Sequence, residues 1–137
     1  MTNDDHPERR PPRERFAGTE HVFDVRAIAA GLRQENTPMR DGHRQMAIFQ
    51  KGTLSLIVFD FEAGGRLADH HAEAYVTIMA VSGALQVSTP TQMHEVDEGS
   101  IIVLDPGVRH DVRSPGASQM LLIVDLVEPR DAIGGEA

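Results

Sequence analysis

From residue 43 onward the chain alternates between short apolar segments and turns that contain glycine or proline. Turn sequences such as Asp105-Pro106-Gly107 and Ser114-Pro115-Gly116 favour tight reversals of the backbone. The segments between the turns are rich in Val, Ile and Leu, which pack well on a pleated sheet. Regularly spaced short strands of this kind predict an all-β sandwich or barrel, with strands at 43–50, 53–61, 75–81, 84–88, 93–96, 100–104, 111–113 and 119–127.

Two of the predicted strand regions, 54–61 and 120–126, are apolar on both faces. A half-exposed sheet needs only one apolar face, whereas a strand covered on both sides forms a continuous apolar run. A barrel whose outer face packs against a second copy would meet this requirement. We therefore expect a homodimer.

The chain has 137 residues, a length that suits a single domain. The first residues are charged with both signs and contain several prolines, which is typical of a flexible arm. A candidate strand at 21–25 and a helical segment at 27–33 follow this arm. The expected organisation is a flexible polar arm, a strand and helix lead-in, the barrel, and a flexible tail, at 1–20, 21–45, 46–128 and 129–137 respectively.

Composition excludes several classes of function. The chain has no cysteine, so disulfides, thiolate zinc sites and cysteine nucleophiles are absent. The net charge of -8 argues against nucleic acid as a partner, because the phosphate backbone requires a basic face. No apolar run has the length of a membrane span, and the polar first residues do not resemble a signal peptide. We expect a cytoplasmic protein that does not bind membranes.

Two blocks bounded by glycines contain the strongest candidates for functional residues. The first runs from Gly64 to Gly83 and contains His70, and the second runs from Gly99 and contains His110. In both blocks the pattern predicts that the histidine begins a strand after a turn. The four glycines that we expect to adopt positive φ in turns are Gly64, Gly83, Gly99 and Gly107.

The two blocks resemble the paired sequence motifs of the cupin superfamily, and the resemblance covers residues 46–127. In the first motif Gly64, His70 and Gly83 match the opening glycine, the first histidine and the closing glycine. In the second motif Gly99 and the turn glycine precede the matching histidine, and the spacer between the motifs, 84–98, is as short as in compact single-domain cupins. The resemblance implies a single jelly-roll β-barrel with a short N-terminal helical segment.

The chain departs from the metal-binding form of these motifs. Cupins that bind a metal use three histidines and a glutamate, and here Ala72 and Val76 occupy the positions of the second histidine and the glutamate. His70 and His110 are the two metal ligands that the resemblance leaves, so Zn, Mn, Fe or Ni would need further ligands from water or substrate. In the second motif, Asp105 and Ser114 replace the usual proline and asparagine.

Other polar residues are weaker candidates for ligands. Successive side chains of a strand point to opposite faces, so His71 and Glu73 are expected to face away from His70. His94 lies between the two motifs, on a strand that is peripheral in similar proteins. Only a bulge or turn near His70 would bring His71 to the same ion.

Alternation along the strands also predicts what surrounds the two histidines. Ala72, Val76 and Ile78 share the parity of His70, and Val112 shares that of His110. A small apolar pocket with two imidazoles suits a small organic ligand whose orientation the imidazoles fix. The opposite parity, at Tyr75, Thr77, Met79 and Val81, is expected to pack under the N-terminal segment or in a dimer interface.

The sequence thus predicts a small cupin-barrel protein that binds an organic molecule at His70 and His110, with an unknown reaction. One alternative is a metal-dependent oxygenase or isomerase that completes its coordination with water or substrate. Metal-free isomerase chemistry would use one of the histidines as a general base, but no acid partner is visible at inward parity. A third alternative is purely structural, since a buried neutral histidine can serve only to hold a strand in place.

Overall fold

The computed structural model describes residues 17–35, 39–70 and 73–128. Within them the chain forms one helix and two antiparallel sheets, which confirms the predicted all-β jelly-roll architecture. The helix, α1, is Val25–Gln34. The strands are β1 His43–Lys51, β2 Leu54–Phe61, β3 Arg66–His70, β4 Ala74–Ser82, β5 Leu85–Ser88, β6 Met93–Val96, β7 Ile101–Leu104, β8 His110–Arg113 and β9 Ser118–Leu126.

The two sheets differ in size and strand order. The larger has five strands in the order β1-β2-β9-β4-β7, and the smaller has four in the order β3-β8-β5-β6. Every strand pair is antiparallel, and neighbours in each sheet are often distant in sequence, as in β2 with β9 and β3 with β8. The smaller sheet therefore brings together the two glycine-bounded blocks.

The interior of the barrel is a single apolar cluster. Phe59, Ile78, Leu85, Val87 and Val112 are almost completely buried in it, and they come from both sheets. Because these side chains remove a large apolar area from water, they supply most of the stabilisation that holds the sheets together.

A second apolar cluster lies on the outer face of the larger sheet. Ala29 and Leu32 of α1 pack there against Val58, Val81 and other residues of the sheet. This packing explains why β2 is apolar on both faces, because one face points into the barrel and the other supports the helix. The second apolar face of β2 and β9 therefore does not by itself require a second copy of the chain.

The lead-in differs from the expected strand followed by a short helix. The strand predicted at 21–25 is wrong, since residues 21–24 have no regular structure and α1 begins at Val25. Asp24 caps the helix, its carboxylate accepting a hydrogen bond from the backbone N–H of Ala27 at 3.1 Å. Val22, Phe23 and Val25 favour a strand by propensity, but the cap at Asp24 starts a helix instead.

Residues before α1 pack on the outside of β1. The ring of His21 contacts that of Phe49 at a centroid distance of 5.0 Å, and Phe23 contacts Phe49 at 6.3 Å. Lys51 Nζ donates a hydrogen bond to the carbonyl of Gly18 at 2.8 Å. Of the predicted arm and tail, residues 1–16 and 129–137 lie outside the described residues.

One strand, β3, was not predicted from the sequence. β3, with the sequence Arg-Leu-Ala-Asp-His, is too polar to be recognised by an apolar pattern, yet it forms the edge of the smaller sheet. His70 consequently ends a strand, and the expectation that it begins one is wrong. His110 begins β8, as predicted.

Candidate functional site

His70 and His110 occupy directly opposite positions on the antiparallel strands β3 and β8. The neighbouring pair is Leu67 with Val112, so β3 advances by one residue more than β8 between the two pairs. This irregularity is a β-bulge, which changes the alternation of the strand on which it occurs. Without the extra residue Asp69 would take the position opposite His110, so the bulge determines that a histidine is there.

The expected alternation from His70 to Ile78 is wrong, because the two residues lie on different strands: β3 ends at His70 and β4 begins at Ala74. Side chains alternate only within one strand, so alternation does not decide where His71 and Glu73 point. His71 and Ala72 lie outside the described residues. Glu73 is exposed, and its carboxylate lies near Gly107. Its Oε2 is 3.7 Å from the position that a Cβ would occupy if Gly107 were replaced by alanine.

His110 is well defined by its surroundings. It is only 6% exposed, and its Nδ1 lies 3.1 Å from the carbonyl oxygen of Val108. Because a carbonyl can only accept, Nδ1 carries the hydrogen, and in the neutral ring Nε2 is then the nitrogen that accepts a hydrogen bond. The local turn thus fixes both the tautomer and the orientation of the imidazole.

The turn before His110 depends on Gly107. Its φ is +85°, a conformation that residues with a Cβ rarely adopt. The other three glycines for which we predicted positive φ also have it, which confirms the prediction for Gly64, Gly83 and Gly99.

Three of the apolar residues that alternation placed beside the histidines are in the barrel interior. Val76 is 5% exposed, and Ile78 and Val112 are fully buried in the main core cluster. Their role as a wall of a ligand pocket stays a prediction. Of the residues with opposite parity, Met79 and Val81 pack in the cluster under α1, whereas Tyr75 is exposed.

A cavity of about 220 Å³ opens beside His110. It lies between the end of β5 and the start of β8, and its wall includes Ser88, Thr89, Arg109 and Asp111 in addition to the histidine. These polar residues are absent from the site that we predicted from sequence. The register of β5 with β8, which sets Ser88 opposite Asp111, brings them together, and no spacing within either strand reveals that pairing.

Potential metal ligands are sparse in the part of the chain that the structure describes. No group of three or more His, Asp or Glu side chains there could hold a metal ion. His94 lies on β6, where its Nδ1 is 3.3 Å from Gln92 Nε2. A metal held by His70 and His110 stays a prediction.

Two further residues in or near the motifs, Ser114 and His43, have structural roles. Ser114, at the usual position of asparagine, is fully buried, and its hydroxyl contacts the carbonyl of Gly116 and the hydroxyl of Ser118. His43 is also buried, with Nδ1 3.2 Å from the carbonyl of Arg66 and its ring packed against Phe59. Both residues satisfy their polar groups within the protein.

No family model and no curated protein matches the chain. Solved structures resemble it closely in fold. An RmlC-like cupin from Shewanella frigidimarina NCIMB 400 is 16% identical, with 84% of this chain and 96% of that chain covered and a TM-score of 0.63. A cupin superfamily protein from Desulfitobacterium hafniense DCB-2 is 14% identical, with 66% and 83% covered and a TM-score of 0.61. The polyketide cyclase RemF from Streptomyces resistomycificus is 18% identical, with 70% and 72% covered and a TM-score of 0.57.

These likenesses, together with the sheet topology, show that the chain has the cupin fold. The resemblance of the glycine-bounded blocks predicted that fold correctly.

Proposed function

We propose that this cupin barrel binds a small organic molecule at the end of the barrel where β3 and β8 bring positions 70 and 110 together. The observation that carries the proposal is the direct pairing of His70 with His110 across the bulge. A bulge leaves one residue of the ladder unpaired, and bulges are common beside functional sites.

The chemistry of the site favours a ligand with an apolar body and a hydroxyl group. Val112 and Ile78 are fully buried in the barrel core, so apolar contact with the ligand would require the core to open beside them, and the imidazole of His110, which lines the polar cavity, would orient the hydroxyl. The polar cavity beside it, with Ser88 and Thr89, would hold the hydrated end of the molecule. A phenol is the simplest probe with these properties. The polyketide cyclase among the structural relatives is consistent with an organic ligand for this fold.

A second candidate is metal-dependent oxygenase or isomerase chemistry at the same place. The register pair favours it, because directly opposite positions in an antiparallel pair have Cβ atoms about 4.5–5.5 Å apart. Two imidazoles at that spacing could bind one Zn, Mn, Fe or Ni ion, and water or substrate would supply the remaining ligands. A metal bound there would act as a Lewis acid toward the substrate.

Two measurements test the proposal and separate the candidates. Calorimetric titration with a set of small phenols should give saturable binding that His110→Ala abolishes and His94→Ala leaves unchanged. His94 is the matched control, because it lies on β6, which β5 separates from β8 in the smaller sheet, and it does not line the cavity beside His110. Binding that is unaffected by His110→Ala, or no binding to any phenol, would contradict the proposal. Elemental analysis of protein purified without an affinity tag should find less than one metal per chain, and a stoichiometric metal would favour the second candidate.

The expected homodimer, the cytoplasmic location and the absence of nucleic-acid and membrane partners stay predictions. In the described residues no helix is long and apolar enough to cross a membrane. Tyr75, one of the residues expected to pack under the N-terminal segment or in a dimer interface, is 50% exposed, and the neighbouring strand β7 exposes Ile101 and Val103 by 57% and 54%.

A further inference from the structure

A second cavity lies outside the barrel, between the last turns of α1 and the larger sheet. Its volume is about 220 Å³, and its wall includes Arg33, Gln34, Ser82, Ala117 and Gln119. The cavity is on the opposite side of the sheet from the barrel interior. It is therefore separate from the site at His70 and His110.

The polar groups beside this cavity are fixed by a buried carboxylate. Asp60 is only 4% exposed, and it alternates on β2 with Phe59 and Phe61, which face the interior. Its Oδ1 accepts hydrogen bonds from Arg33 Nη2 at 2.8 Å, from Arg33 Nε at 3.0 Å and from Gln119 Nε2 at 3.1 Å. Ser82 Oγ donates to Gln119 Oε1 at 3.1 Å, which fixes the amide. The network is thus ordered before any ligand arrives.

The wall of the cavity is rich in hydrogen-bond donors. The guanidinium has five N–H groups, and its bonds to Asp60 and to the carbonyl of Phe61 involve only Nε and Nη2. Nη1 therefore adds two N–H groups on the side turned away from Asp60. Gln119 Nε2 has a second hydrogen besides the one directed at Asp60, and Gln34 adds another amide to the wall.

Arg33 connects the buried carboxylate with the cavity. Its side chain is 45% exposed, whereas that of Asp60 is 5% exposed. The hydrogen bonds that Arg33 donates to Asp60 raise the pKa of Arg33, so the guanidinium keeps its charge at every pH at which the protein would be studied. A permanent cation with outward-facing donors recognises an acceptor that is planar and negatively charged.

We infer that this cavity binds a small carboxylate through Arg33 and Gln119. The size of the cavity sets the upper limit, because sites for drug-sized ligands have volumes of roughly 300–1,000 Å³. A short-chain acid such as propionate fits this limit. The negative charge of Asp60 opposes a second anion, so we expect an affinity in the millimolar range.

The test compares propionate with propionamide, which has nearly the same shape and no charge. In ¹H–¹⁵N spectra of the full chain, propionate should shift the backbone amides of Arg33, Ser82 and Gln119 in a saturable way. Propionamide at the same concentration should produce at most a tenth of the shift. Equal responses to the two probes, or no response at those amides, would overturn the inference.

A variant that fills the cavity provides the second arm. Ala117 lines the cavity and is exposed, so Ala117→Leu should block entry without disturbing the Arg33–Asp60 pair, and it should weaken propionate binding at least tenfold. Ala63→Leu, at an exposed turn on no wall of this cavity, is the matched control and should bind as the wild type does. Undiminished binding in the folded Ala117→Leu protein would contradict the assignment. The wild-type titration decides the question even if that variant does not fold.

Discussion

Position 70 lies opposite His110 because β3 contains one residue more than β8 between the Leu67–Val112 pair and the His70–His110 pair. A regular strand would have placed Asp69 there. The bulge thus converts two histidines from separate blocks of the sequence into neighbours.

This relationship predicts opposite effects for two changes of length in β3. Deletion of Ala68 removes the extra residue but leaves His70 two residues after Leu67, so the pairing with His110 persists in a regular ladder. Insertion of one alanine after Leu67 adds another residue and moves His70 out of that register. We expect the deletion variant to retain binding of phenols and the insertion variant to lose it, as measured by calorimetry. Loss of binding in a folded deletion variant would argue against the register as the determinant.

The turn before His110 should be more important for binding than for stability. Gly107→Ala forces a side chain into a φ of +85° and should cost about 1 kcal/mol of unfolding free energy. Gly99→Ala also places a side chain at a positive φ, here +84°, in a turn between β6 and β7 where an added Cβ would meet open space. Urea denaturation should show similar losses for both variants, whereas only Gly107→Ala should weaken phenol binding. Wild-type phenol binding in both variants would contradict this role of the Gly107 turn.

Sequence reasoning recovered the fold better than the site. Apolar strands with punctuated turns were located within one or two residues, because their pattern depends on local composition. β3 was missed because its polar residues carry no such pattern, and the β3–β8 register is a long-range property that no local spacing encodes. The polar cavity beside His110 and the network at Asp60 were missed for the same reason, since each combines residues from strands or helices distant in sequence.

In the Arg33–Asp60 pair, Arg33→Ala should lower the free energy of unfolding more than Asp60→Asn does. Arg33→Ala leaves a buried carboxylate with only Gln119 as a described donor, whereas Asp60→Asn keeps an oxygen that both donors can reach. Removing one partner of a fully buried pair costs about 3–5 kcal/mol, and we expect about 2 kcal/mol for Arg33→Ala because its guanidinium is partly in water. Asp60→Asn should cost less. Urea unfolding measures both.

The pH dependence of that contribution follows from the pKa of Arg33, which the hydrogen bond to Asp60 raises. A raised pKa of a basic group stabilises the folded state below the unfolded-state pKa, and that stability is lost only as the pH rises through the folded-state pKa. Both values lie far above neutrality. The loss caused by Arg33→Ala should therefore be the same at about pH 6 and about pH 9. Arg26→Ala, at an exposed position of the same helix, is the control and should have little effect.

The homodimer prediction can be tested on the exposed outer face of β7, which is paired with β4. Sedimentation velocity at micromolar concentration should show a species with twice the 15.0 kDa chain mass. Ile101→Lys should shift it to the mass of a single chain, because Ile101 is 57% exposed in the monomer and would be desolvated in a dimer. Val22→Lys, at a residue that is 97% exposed on the lead-in, should leave the mass unchanged. A single-chain mass for the wild type would refute the dimer.

The most direct test of the two-histidine site is the response of the histidine rings themselves. In ¹H–¹³C spectra of protein labelled at the histidine rings, titration with a small phenol should shift the resonances of His70 and His110 together and saturably. The resonance of His94 should not move. If His70 and His110 stay unchanged while the protein remains folded, or if only one of them responds, the account of a shared ligand site is wrong.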